Sequence, residues 1–357
     1  MSAVDSIVRE GRLVVCIGPG GVGKTTLAAS LAVRAAALGR TVLVLTIDPA
    51  RRLASALGID STYATGARVR VALGTIPGKG SLQAAMLDPR TSYDALIQRL
   101  AERDERATIL DNRVYRAFSR TLARSHAYVA MEHLYDVLEG PSPPDLVVLD
   151  TPPTRSALDI LDAPLALARF AEQRSLLALA NRTTASAGTF AAGKLVGLLA
   201  GAELGRELTT FLRTFLGMRA GFATRARAID RILRAEARFV LVAAPDPAHL
   251  SDAEHLATGM AERGLTIGTT LANRAFTEDP RKPFGRMPRL AKPIDGSLES
   301  PLVRRAIARA EALARDDAAR EQALHDLPGT HIAFPRTHVE PIDIALLHAL
   351  ALSGVAV

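Results

Sequence analysis

Residues 12–26 read RLVVCIGPGGVGKTT, and this stretch decides the fold. The run Arg12–Ile17 is short, apolar and rich in valine, which predicts a buried strand. The segment Thr25–Leu38 is rich in alanine and leucine and ends before a glycine, which predicts a helix. The residues between them, Gly18–Thr25, fit the pattern G-x-x-x-x-G-K-[ST], and a strand before it and a helix after it are the context that this pattern requires.

The residue types in this loop suit the binding of phosphate groups. Glycines allow the backbone to curl so that its N–H groups point inward around phosphate oxygens, and the helix N-terminus adds its positive dipole end. Lys24 is then placed to reach the β- and γ-phosphates, and the hydroxyl of Thr25 to bind Mg²⁺. The alternative is a glycine turn that arose by chance. The correct flanks on both sides favour the phosphate site.

Further apolar runs predict that the first strand belongs to a parallel sheet. Buried runs that alternate with helices are typical of α/β proteins, in which helices cover both faces of the sheet. We therefore predict an α/β fold with a mostly parallel sheet flanked by helices. The predicted strands after the first are Thr41–Ile47, Asp145–Asp150, Phe239–Ala244, Thr266–Asn273 and His331–Pro335.

Two long segments interrupt the alternation of strands and helices. The apolar spacing is helical from Ser81 to Glu139 and again from about Ala157 to Ala237. These segments predict an inserted helical subdomain formed by residues 81–139 and 157–237. The nucleotide-binding core is then formed by residues 1–80, 140–156 and 238–357.

Two aspartates follow predicted strands at the edge where the loop lies. Asp48 comes directly after Thr41–Ile47, and Asp150 ends Asp145–Asp150. Because the carboxyl ends of parallel strands share one edge, both carboxylates should lie beside the loop. One carboxylate is needed near Mg²⁺, directly or through a water, and one to orient or deprotonate the attacking water. The alternative for each is a helix cap or a turn.

Composition and charge exclude several other classes of protein. An apolar fraction of 48% excludes a disordered chain, and a single cysteine excludes a disulfide scaffold and a cysteine-cluster zinc site within one chain. The net charge of +7 is spread along the sequence, whereas a nucleic-acid footprint should cluster. The beginning of the chain does not fit a signal peptide, and the apolar stretch Phe190–Leu204 is too short to cross a bilayer. We expect a cytoplasmic protein that contacts a membrane only peripherally.

Four motifs in order resemble one family. The chain carries GPGGVGKTT, then LTIDPARRLASALG, then DLVVLDTPPTRSALDILDAP, and finally TLANRAF. It resembles the ArsA-type ATPases, which comprise arsenite-pump ATPases and the related ATPase that targets tail-anchored membrane proteins. These belong to the dimeric class of P-loop NTPases with a deviant Walker A motif. The resemblance covers nearly the whole chain, and the helical segments fall where that family has its helical subdomain.

The resemblance implies roles for individual residues. Asp48 lies in the first switch segment and would activate water, while Asp150 lies in the second switch segment. Asn273 would read the adenine edge, and Pro335 and Arg336 would pack on the base. Thr25, Asp48 and Asp150 would hold Mg²⁺, partly through water. The residues implied to hold the phosphates of ATP are Gly20, Gly21, Val22, Gly23, Lys24, Thr25 and Thr26.

The sequence also departs from that family's pattern. The family's loop usually carries a lysine directly after the first glycine, where it reaches the nucleotide of the other subunit. This chain has Pro19 at that position, which carries neither charge nor backbone donor. Either another cation substitutes, or a partner subunit supplies the lysine. Arg51 and Arg52 are candidates for the substitute, although both also fit the solvated start of a helix. We expect a homodimer, or a heterodimer with a paralogous ATPase, and only the paralogue could supply the lysine. Ser156 replaces a histidine implicated in metalloid binding, and the family's cysteine ligands are missing, which argues against an arsenite site.

The sequence therefore predicts an ATPase that hydrolyses ATP to ADP and phosphate, with a nucleotide-driven switch at a dimer interface. The alternative is a nucleotide-gated binding module with little turnover alone, acting as the partner subunit of a catalytically complete paralogue. A hydrophobic or membrane-protein client is the partner class expected from the family. A DNA-partitioning ATPase is a third class to consider, and the large helical segments argue against it.

Overall fold

The computed structural model describes most of the chain in separate ranges, which are residues 2–47, 52–59, 68–74, 76–87, 106–116, 126–171, 201–276, 305, 309, 322–335 and 343–356. The strands are β1 Leu13–Ile17, β2 Thr41–Thr46, β3 Arg68–Val71, β4 Ser81–Met86, β5 Leu146–Asp150, β6 Ala237–Ala243, β7 Ile267–Phe276, β8 Thr330–Pro335 and β9 Val355–Ala356. The helices are α1 Asp5–Val8, α2 Lys24–Ala37, α3 Arg52–Ala56, α4 Arg106–Asp111, α5 His126–Leu138, α6 Thr154–Ala171, α7 Ala202–Ala235, α8 Pro247–Glu262 and α9 Ile344–Ser353.

All of these strands belong to one sheet with the order β3-β4-β2-β5-β1-β6-β7-β8-β9. The edge strands β3 and β9 are antiparallel to their neighbours, and every other pair is parallel. This confirms the predicted α/β fold with a mostly parallel sheet. Because β1 lies between β5 and β6, the loop after β1 opens at the centre of the carboxyl edge of the sheet, the usual place for ligands in such folds.

Each face of the sheet is covered by its own layer of helices. Side chains alternate along the strands, so that Val14 and Val44 face one layer whereas Val15 and Leu43 face the other. Helices α2 and α9 cover the first face and contact each other. At this contact the Ser30 hydroxyl donates to the backbone carbonyl of Leu347 in α9. Helices α5, α6, α7 and α8 contribute to the core on the second face. Strands buried on both faces explain the continuous apolar runs in the sequence.

The helical pattern predicted from Ser81 is wrong at its beginning. Residues Ser81–Met86 form strand β4, which pairs with β2 in parallel register. Their sequence, SLQAAM, consists largely of residues that prefer helices, so local preference favoured the wrong element. Pairing along the whole of Thr41–Thr46 outweighs that preference. Strand β3, which pairs antiparallel with β4 at the edge of the sheet, was not predicted either.

Within the helical layer, a partly buried cluster of charges joins α5 to α7. Arg225 on α7 donates to both Glu132 and Asp136 on α5, and its guanidinium lies 4.2 Å above the ring of Tyr135. Burial lowers the pKa of Arg225, but the two carboxylates outweigh it and raise that pKa overall. The assignment of α5, α6 and α7 to an inserted subdomain stays a prediction, and the first boundary of that subdomain now lies beyond Met86.

Candidate functional site

The loop after β1 has a backbone that two of its glycines make possible. Gly18 and Gly23 have φ angles of +152° and +93°, which side-chain-bearing residues rarely adopt. A Cβ atom on Gly18 would overlap the carbonyl oxygen of Val242 in β6, and one on Gly23 would overlap the amide of Asn273 in β7. The chain then enters helix α2 at Lys24. The loop is thus pressed against β6 and β7 at positions where no side chain fits.

Lys24 lies inside the curve of this loop. Its side chain is buried, with 7% exposure, although it carries a charge. The ammonium Nζ donates a hydrogen bond of 2.6 Å to the carbonyl oxygen of Pro19. The cationic group is therefore held across the loop and close to the N-terminus of α2, where positive charge and backbone donors favour anions.

Thr25 and Asp150, two of the three predicted magnesium ligands, lie together. The Thr25 hydroxyl donates to Oδ2 of Asp150 over 2.8 Å, and the hydroxyl of Thr46 at the end of β2 donates to the same oxygen over 3.1 Å. Asp150 is only 1% exposed. A hydroxyl and a carboxylate are hard oxygen ligands of the kind that Mg²⁺ prefers, so this pair fits the ion.

The predicted water-activating residue, Asp48, lies outside the described residues. So do Arg51 and Arg336, and their predicted roles stay predictions. The residue before Asp48 is described: the N–H of Ile47 donates over 3.2 Å to the carbonyl oxygen of Asp150. Arg52, the other proposed substitute for the lost lysine, is exposed at the start of α3.

Asn273 supports the loop from the β7 side. It is buried, and its Nδ2 donates a hydrogen bond of 2.7 Å to the carbonyl oxygen of Val22. Its Oδ1 accepts from the N–H of Arg274, which has a φ angle of +59°. Its proposed contact with adenine stays a prediction, as does that of Pro335, which is the last residue of β8. What the structure adds is a structural role for Asn273 in holding the loop backbone.

The segment after Asp150 connects the loop to the helical layer. The Thr151 hydroxyl donates to the carbonyl of Cys16 in β1, and Pro153 lies 3.8 Å from the position that a Cβ atom on Gly20 would take. Helix α6 starts at the next residue, Thr154. A movement of the loop at Gly20 would therefore act on Pro153, which directly precedes α6, a helix of the second layer.

Helix α6 is in turn attached to α8. The guanidinium of Arg263, just beyond α8, donates to both carboxylate oxygens of Asp162 over 2.8 and 2.7 Å. This hydrogen bonding raises the pKa of Arg263. The side chain of Leu158 fills the space beside Gly259. Sequence reasoning missed these links because the paired residues are far apart in the chain.

Comparison with known proteins identifies the family. A family model described as anion-transporting ATPase matches residues 11–289, which is most of the chain. The chain belongs to this family. The match includes the phosphate loop, both aspartate segments and the helices between them, and it confirms the resemblance inferred from the four motifs.

Individual relatives in this family match part of the chain. The arsenical pump-driving ATPase of Acidiphilium multivorum is 32% identical over 162 residues, which is 45% of this chain and 24% of that protein. The pump-driving ATPase of Escherichia coli is 32% identical over 177 residues, and ATPase get3 of Schizosaccharomyces japonicus is 32% identical over 155 residues, or 43% of that protein. The chain thus spans less than half the length of these relatives. Among the described helices, none has the length and apolar character that crossing a bilayer requires.

Proposed function

We propose that this protein binds ATP with Mg²⁺ in the Gly18–Thr25 loop and hydrolyses it to ADP and phosphate. The observation that carries the proposal is the hydrogen bond of 2.8 Å from Thr25 to Asp150. It joins the start of α2 to the end of β5, so that the hydroxyl and the carboxylate needed around one metal ion lie together beside a phosphate loop. Membership of an ATPase family supports the same activity.

Each residue of the site has a task in this reaction. Lys24 and the backbone N–H groups of the loop would bind the phosphate chain and offset the charge that develops on it. Thr25 and Asp150 would hold Mg²⁺, which neutralises charge on the β- and γ-phosphate oxygens when bound. Asp48 is proposed to orient the water that attacks the γ-phosphorus in line, with ADP as the leaving group.

We further propose that hydrolysis moves the helical layer at a dimer interface. The position of Pro153, which lies beside Gly20 of the loop and directly before α6, supports a connection from nucleotide to helices. The dimer is proposed as a homodimer, or as a heterodimer with a paralogue that carries the lysine missing at Pro19. Its client is proposed to be hydrophobic or a membrane protein, and its location the cytoplasm, with any contact to a membrane peripheral.

Steady-state phosphate release by the purified chain with ATP and Mg²⁺ tests the activity. Lys24→Ala should reduce turnover about a hundredfold or more, because it removes a charged donor from the transferred phosphoryl group. Lys79→Ala is the matched control, since Lys79 is an exposed lysine on a loop before β4. Turnover that survives Lys24→Ala, or failure of the chain to bind ATP at all, contradicts the proposal.

A nucleotide-gated binding module is the second candidate function, and Pro19 favours it. A lost cationic group of this kind reduces the rate of phosphoryl transfer by about 10³–10⁵ in related enzymes, while nucleotide binding can persist. Tight ATP binding by the chain, with phosphate release only after a paralogous ATPase is added, would support this candidate. Brisk turnover by the pure chain would exclude it.

A further inference from the structure

A histidine that the sequence analysis did not single out lies next to the phosphate loop. His249 is the third residue of α8, the helix that follows β6. Asp246 caps this helix by accepting a hydrogen bond of 3.1 Å from the N–H of Ala248. Because β6 is paired directly with β1, the first turn of α8 lies beside the loop that leaves β1. The cap orders that turn and therefore the backbone position from which the imidazole extends.

The two nitrogens of the imidazole face different groups. Nδ1 is buried, has no hydrogen-bond partner among the described residues, and lies 3.8 Å from a carboxylate oxygen of Asp246. Nε2 lies 3.9 Å from the position that a Cβ atom on Gly21 would take. The side chain is 31% exposed, so part of the ring is accessible from solvent. The ring thus bridges the space between an acidic cap and the phosphate loop.

We propose that His249 is a further nucleotide-binding residue, whose Nε2–H donates a hydrogen bond to the phosphate chain over Gly21. In the doubly protonated ring both nitrogens are donors, so that Nδ1 faces Asp246 while Nε2 faces the phosphate oxygens. A charged donor to phosphate makes one of the stronger hydrogen bonds in proteins. The ligand class is a nucleoside triphosphate, contacted through its phosphates.

This contact compensates for a donor that the loop itself does not have. Pro19 has neither charge nor N–H, and its carbonyl instead accepts from Lys24. His249 brings a further side-chain donor to the loop from a neighbouring strand-helix unit, at Gly21. The inference rests on the proposed function, because it requires that the loop binds a nucleotide.

Binding measurements on variants test the contact. His249→Ala should weaken ATP binding about tenfold, as expected for loss of one charged hydrogen bond. The affinity for inorganic triphosphate, measured by competition with a fluorescent ATP analogue, should fall by the same factor. His249→Gln, which retains a donor without charge, should restore part of the affinity. His255→Ala is the matched control, because His255 is an exposed histidine on the same helix and should leave both affinities unchanged.

The outcomes separate the two proposals. If the unaltered chain binds ATP and His249→Ala binds it equally well, the contact is refuted and the proposed function stands. If ATP binding falls but triphosphate binding does not, His249 contacts the nucleoside and the assignment to phosphate is wrong. If the unaltered chain does not bind ATP, both proposals fail.

A second measurement is made on the unaltered chain, so that its readout does not depend on the affinity of a variant. Side-chain nitrogen signals of ¹⁵N-histidine-labelled protein should shift for His249 when inorganic triphosphate is added, while those of His255 should not. The variants serve only to assign the two signals. A His249 signal that does not respond at saturating triphosphate overturns the contact.

Discussion

The Thr25 hydroxyl and the Asp150 carboxylate are joined by a hydrogen bond of 2.8 Å, although the two residues are 125 positions apart in the sequence. The bond ties the first turn of α2 to the last residue of β5 and closes the phosphate loop against the neighbouring strand. It also sets the distance between the two oxygen ligands proposed for Mg²⁺. Changes to this pair are therefore the most direct probe of the site.

We predict that Thr25→Ala lowers Mg²⁺-dependent phosphate release about a hundredfold, whereas Thr25→Ser retains most of it. Serine keeps the hydroxyl that donates to Asp150 and binds the metal, and alanine does not. Steady-state kinetics over a range of Mg²⁺ concentrations provide the measurement. Equal rates for the alanine and serine variants would show that the hydroxyl has no part in the reaction.

We predict that Gly18→Ala destabilises the fold by about 2–4 kcal/mol and abolishes nucleotide binding. The added Cβ atom would overlap the carbonyl of Val242, a backbone group within the sheet that has no room to move. Urea denaturation measures the change. Gly217→Ala is the control: Gly217 is an exposed residue of α7 with open space around it, so alanine there should be neutral or stabilise by up to about 1 kcal/mol.

We predict that Asn273→Ala lowers the free energy of unfolding by about 1–3 kcal/mol, because the buried carbonyl of Val22 loses its donor. Denaturation of the variant tests this support of the loop. The ratio of ATP to GTP affinity tests the separate role in adenine recognition. Loss of both affinities by the same factor would mean that Asn273 acts only through the loop.

We predict that Asp5 contributes stability that acid removes. A hydrogen bond from Arg34 lowers the pKa of Asp5, and the carboxyl is 1% exposed. Because the folded pKa lies below the unfolded value of about 3.9, the contribution is complete above that value and is lost as the pH falls through the folded pKa. Unfolding free energies between about pH 6 and pH 2 should fall less steeply for Asp5→Asn than for the unaltered chain.

The control for this acid effect is Asp252→Asn, at an exposed position on α8. It should show the same pH dependence as the unaltered chain. The loss of stability in Asp5→Asn should be greatest near neutral pH and should shrink on acidification. A constant difference across the whole range would show that the effect of Asp5 is steric rather than electrostatic.

The centre of the fold could be predicted because its signals are local. Two apolar runs, Arg12–Ile17 and Asp145–Asp150, predict strands, and glycines mark the loop that follows the first run. The structure confirms both strands in the sheet. Ser81–Met86 could not be predicted in this way, since its residues prefer helices and only pairing with β2 makes it a strand. The sequence of a segment does not by itself show which distant strand it pairs with.

The candidate site likewise combines residues that the local sequence marks with residues that only the fold brings together. Lys24 and Thr25 are marked by a motif, and Asp150 by its place at the end of an apolar run. Thr46 and Pro153 are brought to the site only by the folded sheet, Thr46 through its hydrogen bond to Asp150 and Pro153 through its place beside Gly20. His249 stands in a helix whose sequence resembles that of any amphipathic surface helix, so no local pattern marks it.

The burial of Cys16 has a practical consequence for experiments on motion. The chain contains one cysteine, which lies in the middle of the sheet between Asp150 and Val240. Burial raises the pKa of its thiol, with the Asp150 charge acting in the same direction, so little reactive thiolate is present near neutral pH. A fluorophore or spin label can therefore be attached to a cysteine introduced at an exposed position of α6 or α8 without first removing the native one.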